Sequence, residues 1–244
     1  MPPSTPNFTA ELETYLRHLA ADRDRAVPET SRYGYLQTLL NAVGEQLPAH
    51  VRAVIHPANR GAGIPDLGLY AADQPDDALP THGVVEAKPT DGAVRVIALE
   101  PQVQRYLRHY RLVLVTNYFQ FLLVTLGDDD RPRLEEEYRL AADEAAFWEA
   151  MQEPLSLARR HAPALLEYLT RALRRQAPLR TPQEVAAVLA SHAREARARL
   201  ENDAIHQPTL QRIRTQLEEA LGLHFQAAQG EAFFRSSLVQ TLFY

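Results

Sequence analysis

The sequence is marked first by what it lacks. It contains no cysteine among its 244 residues, which excludes a disulfide framework, a thiolate nucleophile and any zinc site built from cysteine ligands. No apolar run approaches the roughly 18–20 residues that span a membrane, and the first residues have neither the basic nor the apolar segment of a secretory signal peptide. These absences predict a soluble, cytoplasmic protein without a membrane partner.

Sequence patterns of several enzyme classes are also absent. There is no Gly-x-Ser-x-Gly elbow of a serine hydrolase and no phosphate-binding P-loop. The nine histidines include no His-x-x-x-His pair at helical spacing that would bind zinc. A formal net charge of −5 argues mildly against nonspecific nucleic-acid binding by the chain as a whole. What remains is an ordinary globular composition, with 45% hydrophobic residues.

Lysine is nearly absent, and its single occurrence is informative. Of the 26 lysine and arginine side chains, only Lys88 is a lysine. A bias toward arginine explains solvated surface cations, because these are interchangeable, but it does not explain the exception. A compact, strongly hydrated ammonium differs from a guanidinium where it must approach a metal ion or a phosphate. Lys88 is therefore a candidate functional residue, with survival of one lysine by chance as the alternative.

The segment that contains Lys88 has the pattern of a strand with polar residues on one face. Residues 83–88 read Gly-Val-Val-Glu-Ala-Lys, and side chains two positions apart in a strand point to the same side. Glu86 and Lys88 would therefore project together, and a hairpin-like return from a predicted strand at 64–70 would bring Asp66 beside them. Crowded carboxylates are unfavourable without a cation. The patch thus predicts a site for Mg²⁺, with Mn²⁺ as a substitute.

The rest of the pattern predicts an α/β core followed by an all-helical C-terminal region. Apolar and β-branched runs predict strands at 51–55, 64–70, 83–88, 112–116 and 119–126. Helical periodicity predicts helices at 9–25, 29–46, 93–109, 142–152, 155–175, 182–203 and 208–228. Between residues 154 and 216, eleven arginines outnumber five acidic residues. This basic region is interpreted either as solvated helix faces or as a contact with a nucleic-acid backbone.

Pro65-Asp66 and, after 19 residues, Glu86-Ala87-Lys88 resemble the signature of the PD-(D/E)XK nuclease superfamily. The predicted elements agree, since a helix precedes these residues, two strands carry them and a helix follows. The resemblance implies a restriction-endonuclease-like core, which is a mixed sheet flanked by helices. It also implies that Asp66, Glu86 and the Ala87 carbonyl hold Mg²⁺ while Lys88 orients or activates water. Composition by itself does not show DNA cleavage.

Further residues resemble other parts of the same superfamily. Gln102 and Tyr106, one helical turn apart, look like the Q-x-x-x-Y helix of some members, in which both side chains lean toward the metal. Packing of Tyr106 in the core with Gln102 at the surface is the alternative. Glu29 resembles the acidic helix residue that helps to hold a metal in many members. A glutamate in a first turn is also favoured by the helix dipole, and Glu45 competes for the role.

A glycine-rich segment before Asp66 is the candidate DNA contact. It contains Asn59, Arg60, Gly61 and Gly63, and glycine permits close approach of the backbone to a phosphate. A tight turn is an equally good interpretation of the two glycines. The segment therefore predicts either a DNA-binding loop or a structural turn.

Longer strings that begin at Glu29, Asn59 and Leu114 are similar to the N-terminal region of large single-chain restriction–modification enzymes. In that family a nuclease domain precedes a helical connector, an adenine-N6 methyltransferase and a target-recognition domain. The sequence has no Asn-Pro-Pro-Tyr motif and no glycine-rich cofactor loop. The resemblance therefore implies that the methyltransferase and target-recognition domains are missing from this chain. It divides the chain into an N-terminal helix at 1–25, a nuclease-like domain at 26–150 and a helical connector region at 151–244.

The function that this resemblance implies is a Mg²⁺-dependent DNA endonuclease of a restriction–modification system active in phage defence. Its substrate would be double-stranded DNA, and the resemblance implies that cleavage of both strands uses a dimer or a translocating partner, since one chain carries one site. Two alternatives stay open. One is a catalytically silent nuclease-fold module that binds DNA or a partner, and the other is a mainly helical scaffold with an accidental motif. The intact Asp–Glu–Lys set favours the enzyme.

Overall fold

The computed structural model describes residues 7–23, 30–59, 61–75, 78–127, 129–176, 185–186, 189, 193, 207–222, 225 and 227–241. The chain divides into two compact units, Met1–Pro178 and Leu179–Tyr244. No helix within the described ranges is both long enough and apolar enough to cross a membrane. The sheet and the candidate site belong to the first unit.

The first unit alternates helices and strands along the chain. Its described helices are α1 (Phe8–Asp22), α2 (Thr30–Gly44), α3 (Val94–Ile97), α4 (Pro101–Tyr110), α5 (Glu144–Ala150) and α6 (Pro154–Arg174). Its strands are β1 (Val51–Ile55), β2 (Leu67–Ala71), β3 (Val84–Ala87), β4 (Leu112–Thr116), β5 (Gln120–Leu126) and β6 (Pro132–Arg139). The second unit contains helices α7 (Gln207–Leu221) and α8 (Ala227–Thr241).

The strands form a single mixed sheet in the order β1-β2-β3-β4-β5-β6. Strands β3 and β4 are parallel, and the other neighbouring pairs are antiparallel. A parallel pair cannot be joined by a tight hairpin, and here α3 and α4 make the crossover. The α/β prediction, with a restriction-endonuclease-like mixed sheet flanked by helices, is confirmed.

Helices cover both faces of the sheet, and this decides where the polar side chains of β3 point. On one face, Val85 and Ala87 pack in a core with residues of α1, α2 and α6. On the other face, Val84 packs with residues of α3 and α4, including Tyr106. All four residues of β3 are buried, as expected for a central strand between two helical layers. Because side chains alternate along a strand, Glu86 lies on the α4 side with Val84.

Five element predictions differ from the structure. Strand β2 begins at Leu67 rather than at residue 64, so Asp66 precedes it, and α8 was not predicted. Residues 132–139 form β6, which was not predicted because three consecutive glutamates interrupt its apolar alternation. The predicted helix 93–109 is two helices, since Pro101 begins α4 at a position where its missing N–H is not needed. The predicted helix 208–228 ends early because Gly222, with φ of 65°, terminates α7 in the left-handed conformation that glycine adopts readily.

Two further predictions concern the C-terminal part of the chain. The predicted helix 182–203 falls almost entirely outside the described residues. Helix α6, which the sequence analysis placed in the connector region, packs through Leu157 and Leu165 in the core shared with α1 and α2. It thus belongs to the first compact unit. The division into an N-terminal helix, a nuclease-like domain and a connector stays a prediction.

Candidate active site

The β2–β3 hairpin brings Asp66 to the end of β3. Leu67 pairs with Val85, so the same register continued by one residue sets Asp66 opposite Glu86, where side chains are close neighbours. The Asp66 carboxylate accepts a hydrogen bond of 2.8 Å from the backbone N–H of Ala87. This bond holds the Asp66 side chain against the strand that carries Glu86.

Lys88 pairs directly with Glu86. The Lys88 Nζ lies 2.6 Å from the Glu86 Oε1, and the Glu86 side chain is 1% exposed while that of Lys88 is 30% exposed. A buried carboxylate requires a compensating partner, and Lys88 supplies it. The backbone N–H of Lys88 donates to the Thr116 carbonyl at 2.9 Å, which continues the pairing of β3 with β4. The patch thus combines two carboxylates with one partly exposed ammonium.

Helix α4 contributes a tyrosine and a glutamine to the same side of the sheet. The Tyr106 hydroxyl donates to the Ile64 carbonyl at 2.9 Å and accepts a bond of 3.2 Å from the Gln102 amide. Burial raises the pKa of Tyr106, the hydrogen bond from Gln102 opposes this rise, and the nearby Glu86 and Asp66 carboxylates add to it. The protonated hydroxyl ties the segment before Asp66 to α4.

The glycine-rich segment forms a compact turn. The Asn59 side-chain oxygen accepts bonds from the N–H groups of Gly61, at 2.8 Å, and Gly63, at 3.3 Å. Both glycines have φ of 100°, a left-handed region that residues with a Cβ rarely adopt. Arg60 lies outside the described residues. These contacts show the structural role of Asn59 and the glycines, and the DNA contact stays a prediction.

Of the two acidic candidates near α2, the structure describes Glu45 but not Glu29. Glu29 lies outside the described residues, so its proposed metal contact stays a prediction. Glu45 is exposed just after the end of α2. There Gly44 is so close to Val51 that an added Cβ would lie 1.8 Å from the Val51 carbonyl oxygen. Val51 is at the end of β1 away from the Asp66 end of the hairpin, so Glu45 does not replace Glu29 in the site.

Two residues, one beside Asp66 and one in the core on the other face of the sheet, have strained backbone that the sequence did not reveal. His56 has φ of 47° and Tyr118 has φ of 73°, and this left-handed conformation costs about 1–2 kcal/mol for a residue with a side chain. The His56 N–H donates to the Asp66 carbonyl at 2.9 Å. The Tyr118 carbonyl accepts a 2.7 Å bond from the Tyr15 hydroxyl. Strain of this kind concentrates at functional sites.

Asn117, which was not among the predicted site residues, fixes the turn after Lys88. Its side-chain amide donates to the Gly92 carbonyl at 2.8 Å and to the Thr90 carbonyl at 3.3 Å. Its side-chain oxygen accepts a bond of 2.9 Å from the Gln120 N–H. Asn117 is 1% exposed. A buried amide between two strongly apolar strands was the available signal, because such a group must find hydrogen-bond partners.

The donor set fits a hard divalent cation better than zinc. Within the described part of the chain, no three or more histidine, aspartate or glutamate side chains are grouped closely enough to hold a metal. Asp66 and Glu86 offer only carboxylate oxygens. Mg²⁺ is commonly held by one or two carboxylates together with water and phosphate oxygens, whereas the usual protein zinc sites include histidine or cysteine ligands beside any carboxylate. The residues present therefore fit Mg²⁺ or Mn²⁺.

Comparisons with known proteins give a weak structural likeness. No protein-family model and no curated protein sequence matches the chain. Among solved structures, the chain is similar to one described as a cryo-EM structure of a DrdV–DNA complex, with a TM-score of 0.41 and 15% sequence identity. The likeness covers 87% of this chain but 17% of that one. This chain therefore spans less than a fifth of the length of that protein.

Proposed function

We propose that this chain is a Mg²⁺-dependent DNA endonuclease of the PD-(D/E)XK type. The observation that carries the proposal is the Asp66 carboxylate held on the Ala87 N–H, beside a buried Glu86 that is paired with Lys88. Two carboxylates and an ammonium at the end of a central strand are the groups that metal-assisted phosphodiester hydrolysis requires. The sequence motif supports the same assignment independently of the side-chain contacts.

Each residue has a role that follows from its position. Asp66, Glu86 and the Ala87 carbonyl would hold Mg²⁺, which supplies a Lewis acid for the phosphate and for the leaving oxygen when it is bound. Lys88 is partly exposed, so its ammonium can orient an attacking water and stabilise the negative charge that develops on the phosphate. The Ala87 N–H keeps the Asp66 carboxylate in position.

Tyr106 and Gln102 are positioning residues in this proposal. The Tyr106 hydroxyl is engaged with the Ile64 carbonyl, and Gln102 donates to that hydroxyl. Together they hold the segment that leads into Asp66 against α4. Their loss would therefore loosen the placement of the carboxylate without removing a reacting group.

The biological setting belongs to the same proposal. Similarity of the longer sequence strings to restriction–modification enzymes supports double-stranded DNA as the substrate and phage defence as the role. It also supports methyltransferase and target-recognition domains as the missing partners. Because one chain carries one site, cleavage of both strands would use two copies.

A catalytically silent module that binds DNA is the second candidate. The 2.6 Å ion pair between Lys88 and Glu86 favours it, because this pair neutralises the buried carboxylate without a metal ion. In that case Lys88 would serve the stability of the fold rather than catalysis. Metal binding separates the two candidates, since only the enzyme requires the carboxylates to hold a cation.

The test is cleavage of supercoiled plasmid DNA with Mg²⁺ or Mn²⁺ by the wild type, Asp66→Ala and Lys88→Ala. Asp91→Ala is the matched control, because Asp91 is an exposed acid in the turn just after Lys88. We expect nicking by the wild type and the control and none by the two site variants. Equal nicking by all four proteins would show that a contaminant cuts the DNA.

Calorimetry with Mn²⁺ completes the test if the wild type does not cut. Binding that is lost in Asp66→Ala and kept in Asp91→Ala would show a competent metal site that requires its missing domains. Absence of Mn²⁺ binding by the wild type would contradict the catalytic proposal. The silent DNA-binding module would then be the remaining candidate.

A further inference from the structure

Helix α4, which contributes Tyr106 to the candidate site, presents a basic face to solvent. Its residues Val103, Tyr106, Leu107 and Tyr110 are buried against the sheet. The opposite face exposes Arg105, Arg108 and His109, whose spacing puts them side by side along the helix. The helix sequence PQVQRYLRHY contains no acidic residue. The exposed face of α4 is therefore uniformly neutral or positive.

Several exposed arginines of the first unit pair with a carboxylate, whereas Arg105 and Arg108 of α4, like Arg159 and Arg160 of α6, make no such pair among the described residues. Ion pairs of 4.0 Å or less are made by Arg17, Arg95, Arg131, Arg133, Arg139, Arg171 and Arg175. Among the described residues, neither Arg105 nor Arg108 has a carboxylate within that distance. Two guanidinium groups without a neutralising carboxylate among these residues attract an anion from solution.

The basic face lies on the same side of the sheet as the site carboxylates. Tyr106, next to Arg105, contacts the Ile64 carbonyl two residues before Asp66. The positive charge of Arg105 lowers the pKa of this tyrosine, while the negative charges of Glu86 and Asp66 raise it. Helix α4, which carries Arg105, thus packs on the face of the sheet that carries Glu86.

We propose that Arg105 and Arg108 on the exposed face of α4 bind the phosphate backbone of the duplex whose reacting phosphate lies at Asp66 and Glu86. This inference rests on the proposed nuclease function and extends it to the binding surface. Guanidinium groups bind phosphate oxygens through paired hydrogen bonds. The two arginines are three residues apart, so they lie on the same face of the helix and can reach one stretch of backbone together.

The negative charge of the protein gives the basic face of α4 a purpose in DNA binding. The chain carries a net charge of −5, and the carboxylates of the site repel an incoming phosphate. Basic residues beside the site offset this repulsion and fix the position of the duplex without reading its sequence. A purely structural role is the alternative for Arg108 and His109, because cations in a last helical turn stabilise the helix dipole. Arg105 lies one turn earlier, so the dipole does not account for it.

The test compares two double variants with the same change in charge. Arg105→Gln with Arg108→Gln removes the basic face of α4. Arg159→Gln with Arg160→Gln removes two exposed arginines of α6, which packs on the other face of the sheet. Binding of a fluorescent DNA duplex is measured by anisotropy in EDTA over a range of salt concentrations. Thermal unfolding checks that both proteins are folded.

We expect the α4 variant to bind DNA at least about tenfold more weakly and the slope of log affinity against log salt to fall by about two, one for each lost phosphate contact. The α6 variant is expected to bind like the wild type. Unchanged binding by the α4 variant, equal losses in both variants, or no binding by the wild type would overturn the proposal. A loss confined to the α6 variant would instead assign the contact to the basic C-terminal region.

The outcome is separable from that of the nuclease proposal. Because EDTA removes the metal, DNA binding is measured without cleavage. Binding that depends on α4, together with absence of metal-dependent cutting, would support the surface and contradict the enzyme. DNA cleavage that depends on Asp66, together with DNA binding that is unchanged in the α4 variant, would support the enzyme and contradict the binding surface.

Discussion

Replacing Asn117 by alanine is expected to destabilise the turn that follows Lys88. The Asn117 side chain is 1% exposed, and its amide donates to the Gly92 carbonyl at 2.8 Å while its oxygen accepts from the Gln120 N–H at 2.9 Å. Alanine cannot replace either bond. Both groups would lose these partners at a site with little access for water, where native structures rarely leave polar groups unpaired.

The expected magnitude follows from these two bonds. Leaving one buried polar group unsatisfied costs about 1–3 kcal/mol, so the loss of two partners should lower the free energy of unfolding by about 2–6 kcal/mol. That is a large share of the roughly 5–15 kcal/mol that stabilises a typical protein. It corresponds to a fall in Tm of roughly 4–24 °C for a domain of this size.

Urea unfolding provides the measurement, with Asn59→Ala as the control. Asn59 also accepts two backbone hydrogen bonds, but it is exposed, so water replaces the lost oxygen and we expect a cost below about 1 kcal/mol. If Asn117→Ala and Asn59→Ala lowered stability equally, burial would not be the reason for the effect. In DNA cleavage assays we expect Asn117→Ala to lose activity while it keeps Mn²⁺ binding, because Asp66 and Glu86 are unchanged.

Three further predictions test other contacts. Gly83→Ala should lower the free energy of unfolding in urea by more than about 2 kcal/mol, because Gly83 has φ of 86° and an added Cβ would lie 2.4 Å from a β4 carbonyl oxygen. An unchanged free energy of unfolding would contradict this close packing. Burial raises the pKa of Tyr15 and of Tyr168, so the folded state favours their neutral forms. The free energy of unfolding should therefore fall as pH rises above about 10. A constant free energy of unfolding across that pH range would refute this. Tyr106→Phe should lower stability by about 0.5–1.5 kcal/mol and weaken Mn²⁺ binding through the lost bond to the Ile64 carbonyl; unchanged calorimetry would show that Asp66 is held without it.

The sequence predicted those parts of the candidate site that depend on local geometry. The alternation of a strand placed Glu86 and Lys88 on one face, and the structure shows them 2.6 Å apart. A hairpin return predicted that Asp66 would lie beside them, and the structure joins its carboxylate to the Ala87 N–H. Both relations follow from the period of a strand and from pairing between neighbours, which short patterns encode.

Contacts between distant parts of the chain were beyond such patterns. Strand β6 contains Glu136 and Glu137, which favour solvent, yet it is held by pairing with β5 and by ion pairs with Arg171 and Arg95 from other elements. Asn117 bonds to carbonyls 25 and 27 residues earlier in the chain. Neither partner is recognisable until the sheet has placed the segments together.

The order of the strands in the sheet has a consequence for folding. Each strand lies beside its neighbour in the chain, and the crossover from β3 to β4 is made by two short helices. Short connections lose little chain entropy on closing, and contacts between residues near in sequence favour rapid folding. Asp66, Glu86, Lys88 and Tyr106 all belong to the hairpin and crossover at the centre of this order. The shortest connections join β4 to β5 and β5 to β6. We therefore expect these three strands to pair first, and the candidate site, which depends on the longer β2–β3 and β3–β4 connections, to assemble after them.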